Sequence, residues 1–210
     1  MSSDYSRPVR MSVDRMESAI TDPADLVMDP AEISAVAHAT AHALLSRART
    51  AEDDRTREAL VRFADDNGLD TLAELWSQAH PLSLPGALWR LYLVRAVLQH
   101  NPEDSAQLFQ RGVEDLETID QVVAGAPDPL SAADFSAVVD DILLGAFEGD
   151  LAHALERASA VARAVSAGAI SLSWADDREA PYFTSRSLTW SVIAQELSGC
   201  AARARKGTLS

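Results

Sequence analysis

The chain has 210 residues, 47% of them apolar, and its 32 acids outnumber 18 bases to give a formal net charge of −14. That length and apolar content build one domain with a sizeable core and exclude a disordered chain. No apolar run reaches the roughly 18–20 residues of a membrane span, and the polar opening MSSDYSRPVRMSVDRMES has no apolar segment of signal-peptide type. The expectation is therefore a cytoplasmic protein that does not contact a membrane.

Residues 1–28 read as a loosely packed N-terminal arm punctuated by Pro8 and Pro23, in which only Val13–Ile20 has the makings of a short helix. Asp29-Pro30-Ala31-Glu32 is a strong helix start: the aspartate caps, proline takes the first helical position, and the glutamate can bond back. That helix runs to about Arg49, with Ile33, Val36, Ala37 and Leu44 as its expected apolar centre. A second helix is expected from Thr50 to Asn67-Gly68, and a third over Asp70–Ala79.

Pro85–Gln99, PGALWRLYLVRAVLQ, is apolar nearly all the way round and reads as a buried helix at the centre of the domain. Its two arginines, Arg90 and Arg95, point about 140° apart and cannot share one solvent-facing stripe. At least one needs a buried acceptor, and Glu114 or Asp140 is the expected partner. The pair reads either as a structural ion pair or as the lining of an anion pocket.

Asn101-Pro102 starts a further helix expected to reach Ala124, with Gly112 as a weak point; Ser131 with Asp134 opens the next, ending near Phe147. Asp150 caps a helix that Gly168 is expected to stop, residues 169–185 read as irregular, and a last helix spans about Ser187–Ala204. The result is an all-α fold: a single-domain bundle of about seven or eight helices over residues 29–204, packed around residues 85–99, with 205–210 as a disordered tail. No repeat of solenoid length is present.

The absences narrow the chemistry. The single cysteine, Cys200, permits neither an internal disulfide nor a cysteine-based zinc site. The single lysine, Lys206, lies near the end of the chain, and no P-loop, GxGxxG, HExxH or GxSxG motif occurs. The preference for arginine over lysine, with abundant alanine, reads as the codon bias of a GC-rich bacterial genome. Glu114 and Glu117 form an ExxE pair, but the magnesium sites of all-α pyrophosphohydrolases set a second acidic pair against it. Asp140 and Asp141 are adjacent and point about 100° apart, so they cannot clamp one ion together.

His38 and His42 share a helix face at the HxxxH spacing of metal ligands and are the best metal-like pair, against the plainer reading of surface or interface histidines. No cofactor is expected. Trp174, Tyr182, Phe183 and Trp190, with Arg178 among them, form an aromatic stretch that reads either as a binding loop or as a segment that folds back to finish the core.

Residues 101–156 hold 13 acids and one base, whereas residues 157–210 are net positive. Such an acidic middle repels phosphate backbones and argues against direct nucleic-acid binding. It reads first as a solvated surface, and second as a face for a basic partner. The expectation is a non-enzymatic protein working through protein–protein contacts, in an adaptor, regulatory or assembly role, and forming a homo-oligomer. The alternatives are a small-molecule or metal-dependent all-α enzyme and a helical ligand-sensing domain.

Overall fold

The computed structural model describes residues 29–50, 75–116, 120–128, 130–174 and 178–210. The expected arm at 1–28, the expected helix at 50–67 and most of the one over 70–79 lie outside the described residues. The chain divides into two compact units, Met1–Val36 and Ala37–Ser210. Of the first, only the start of helix α1 (Pro30–Thr50) is described, where Asp29 Oδ1 accepts from the Ala31 amide at 2.9 Å.

The described residues are all-helical. After α1 and a short helical segment at 75–77 come α2 (Leu84–His100), α3 (Pro102–Leu116), α4 (Asp120–Ala124), α5 (Ala132–Glu148), α6 (Leu151–Ser173) and α7 (Ala180–Arg205). Side chains set the starts. Ser83 Oγ accepts from the Gly86 amide at 3.3 Å, with Pro85 in the first turn of α2. Ser131 and Asp134 form a reciprocal capping box on α5, and Asp150 Oδ1 accepts from the His153 amide at 2.9 Å on α6. Between α5 and α6, Gly149 turns the chain at φ 124°, a conformation that side-chain-bearing residues rarely adopt.

Two helices organise the packing. α2 buries Leu84, Ala87, Leu88, Leu91, Tyr92, Val94 and Leu98 and meets α3, α5, α6 and α7. It is not enclosed all round, however: Leu93 is half-buried, and Ala96 and Val97 are exposed. α6 meets α2, α3, α4, α5 and α7 and forms a second hub. Its buried seam is mostly alanine and valine, which keeps neighbouring helices close.

α3 and α6 approach each other backbone to backbone. A Cβ on Gly112 would lie 1.7 Å from the Ala164 carbonyl oxygen, and one on Gly168 would lie 1.9 Å from that of Leu108. The two glycines therefore face each other inside continuous helices. Gly112 does not break α3, and Gly168 does not stop α6, which runs five residues further to Ser173. The start of the stretch 169–185, expected to be irregular, is helical up to that point. α3 ends at Leu116, and the short α4 covers the end of the longer helix expected there.

Aromatic side chains fill the other side of α2. Trp76, fully buried, stacks on Tyr92 at 6.3 Å between ring centres, and Tyr92 lies 6.2 Å from Phe147. The Trp76 indole N–H donates to Thr40 Oγ1 at 3.0 Å and ties α1 to this cluster. The buried seam of α1 is Ala37, Ala41, Leu45 and Ala48, while Val36 is exposed, so the seam is displaced from the expected one toward the histidine side. Residues 206–210 do not trail away as a tail: Leu209 packs against the core, and the Leu84 amide donates to the Ser210 carbonyl at 2.9 Å. No helix among the described residues is long and apolar enough to cross a membrane.

Candidate functional site

The two arginines of α2 fasten it to neighbours on two sides. Arg90 Nε donates to Glu196 Oε2 of α7 at 2.5 Å, and its Nη1 donates to the Gly86 carbonyl at 3.0 Å. Arg95, buried, donates from Nε to Asp140 Oδ1 of α5 at 2.6 Å, and the same oxygen accepts from Gln99 Nε2 at 2.8 Å. Arg90 thus takes its carboxylate from the last helix, not from Glu114 or Asp140. Glu114 stands on the exposed side of α3, 3.9 Å from Arg111. Both guanidiniums are engaged inside helix–helix contacts, as groups removed from water require.

His38 is half-buried and His42 exposed, one turn apart on α1. Among the described residues, no group of three or more His, Cys, Asp or Glu side chains is placed to hold a metal ion. A pair of imidazoles falls short of the three protein ligands of a catalytic zinc site. Glu117 of the ExxE pair lies outside the described residues.

The aromatic stretch is not a single loop. Trp174 ends α6 and is 86% exposed; residues 175–177 lie outside the described residues; and from Ala180 onward the chain is the first part of α7. Helical spacing then separates the aromatics. Trp190 turns inward and is 3% exposed, and Phe183 packs half-buried against the core. Tyr182 stands 60% exposed with its ring edge-on to Phe183 at 5.3 Å. Arg178 is exposed ahead of the helix.

Two concave regions meet at this part of α7. One, of about 730 Å³, is a groove between α2 and α7 with Leu93, Trp190 and Ile193 as its floor and Ala96, Val97 and Thr189 along its sides. The other, of about 700 Å³, lies between α3, the end of α6 and α7, over Leu108, Leu172 and Phe183. Asp104, Tyr182 and Arg186 line both and form the wall between them. Arg186 Nη1 donates to the Tyr182 hydroxyl at 3.3 Å, one turn back on α7.

Of the residues expected to matter, the structure brings only Tyr182, Phe183 and Trp190 to these concavities. Sequence reasoning missed Arg111, Arg186, Asp104, Leu93 and Val97. A usable signal existed: Pro181 is a first-turn proline, and reading α7 from there places Tyr182 and Arg186 four apart on one face.

The polar network between α4 and α6 is closely paired by comparison. Asp120 accepts from Arg163 Nε at 3.0 Å and Nη2 at 2.5 Å, while Arg163 Nη1 donates to Ser159 Oγ at 2.8 Å. Cys200 is fully buried, its Sγ 3.2 Å from the Pro81 carbonyl, and burial pushes its thiol up to about 11. A group so placed is an inert core residue. Comparisons with protein-family models, with curated proteins and with solved structures find no match to this chain.

Proposed function

We propose that this is a non-enzymatic cytoplasmic protein in an assembly role, and that it associates with a second copy of itself through the α2–α7 groove. The observation that carries the reading is a near-neutral apolar face on a strongly acidic chain. Around the groove, one arginine, Arg186, balances one acid, Asp104, and the remaining side chains are apolar or uncharged apart from His100. The chain as a whole carries −14.

Two such chains repel wherever their acidic surfaces meet, and approach most easily where that field is weakest. α7 is that place, with Arg186, Arg203 and Arg205 against Glu196 alone. Val97 and Tyr182 add exposed apolar area on the groove itself. A basic partner would instead be drawn to residues 101–156.

Sedimentation velocity on Val97→Glu tests the reading. A carboxylate placed in the groove is expected to convert the dimer to monomer, and Val122→Glu, on α4 outside both concavities, is expected to leave it intact. An unchanged dimer in Val97→Glu contradicts the assignment of the face.

A further inference from the structure

We propose that the concavity between α3, α6 and α7 binds a small amphipathic monoanion, an apolar body ending in one carboxylate. This goes beyond self-association and does not depend on it.

The inference starts from Arg186. It is half-buried, and its side chain has one hydrogen bond, the 3.3 Å contact to the Tyr182 hydroxyl. Among the described residues no carboxylate pairs with it, although acids outnumber bases 32 to 18 in this chain. Arg90, Arg95 and Arg163 each hold a carboxylate oxygen within 2.6 Å, so the fold is able to pair its arginines closely. A guanidinium partly withdrawn from water and left without an anion is costly unless an anion arrives.

A second guanidinium lines the same concavity from α3. Arg111 is oriented by its Nε–H bond to Ser171 Oγ at 3.0 Å, and its two acidic neighbours, Glu114 and Asp115, stay at 3.9 and 3.8 Å. Planar forks of this kind take a carboxylate bidentately. Beneath them, Leu108, Leu172 and Phe183 make an apolar floor in a space of about 700 Å³, the size and lining of a small-molecule site.

The acids of the lining set the charge of the ligand. Asp104 accepts from the neutral Asn101 amide at 2.5 Å and keeps its negative charge. Glu179 opposes any second negative charge, which selects a monoanion over a dianion such as a phosphate monoester.

The test uses decanoate below its critical micelle concentration, titrated calorimetrically into the full chain, with decanol and decyl phosphate as comparison probes. The expected result is saturable binding of one decanoate per chain. Binding is weakened at least tenfold for either comparison probe, and at least tenfold in both Arg186→Met and Arg111→Met. No saturable binding overturns the proposal, as does decanol binding equally well or indifference to both substitutions.

Because a variant can fail to fold, a diazirine-bearing decanoate analogue is also photolysed with the unsubstituted chain. Crosslinks within α3 and the first half of α7 are expected, and crosslinks confined to other helices overturn the site. A monomeric Val97→Glu that still binds decanoate separates failure of the dimer face from failure of this site.

Discussion

Cys200 and the two arginines of α2 give two different answers to the same problem, a polar group on a buried helix face. Cys200 answers it by staying protonated. Its thiol is raised mainly by burial, with the charges of Arg90 and Arg203 drawing it partly back, and ends near 11. Because the folded state holds its proton more tightly than the unfolded chain, its contribution is intact below the ordinary thiol range. It is lost as pH climbs from about 9 towards 11. Native protein at pH 8 is therefore expected to resist a thiol reagent such as a nitrobenzoate disulfide until denaturant is added. Rapid labelling of the folded chain contradicts this.

Arg95 and Arg90 answer by pairing, one towards α5 and one towards α7. Asp140→Ala strips Arg95 and Gln99 of a shared acceptor at once. Since the Asp140 side chain is 45% exposed, water replaces part of what is lost, and the expected cost is about 1–3 kcal/mol in urea unfolding. The need for such partners was readable from the wheel positions of the two arginines. Glu196 was not readable as one of them, because nothing local ties residue 196 to residue 90.

At the level of helices, the starts were more legible than the ends. Ser131/Asp134, Asp150 and Asn101 carry their capping chemistry in the sequence, and each caps where it should. Glycine misled. Gly112 and Gly168 read as breaks by propensity, yet both sit inside helices because α3 and α6 cross with backbone against backbone there. Propensity costs about 1 kcal/mol at such a site, and close packing along a whole helix outweighs it.

Gly168→Ala is accordingly expected to destabilise by about 1–3 kcal/mol or more, since its Cβ meets a carbonyl that cannot step aside. Gly145→Ala, on α5 with nothing within 4 Å of the new Cβ, is expected to stabilise by about 0.5–1 kcal/mol. Equal effects in paired denaturant titrations contradict the crossing. The start of α7 was hidden for another reason. The polar residues 176–179 resemble a loop continuing to the aromatics, and that composition hides Pro181 as the first turn of a helix.

For the molecule as a whole, charge and apolar surface are separated. The acids concentrate in 101–156, and the groove of α2 and α7 is left nearly neutral. The all-helical class and the largely buried character of residues 85–99 were legible from periodicity, though Ala96 and Val97 are exposed. The concavities were not, because each is made by side chains from two or three helices whose mutual placement no local pattern encodes. A face of this kind predicts an unusual response to salt. Screening weakens contacts held by opposite charges but relieves the repulsion between two chains of −14 that meet through a neutral surface. Sedimentation equilibrium of the unsubstituted chain at low and high ionic strength reads this directly. The predicted result is a dimer that tightens as salt rises, and a monomer throughout, or a dimer that salt dissolves, contradicts association through the α2–α7 groove.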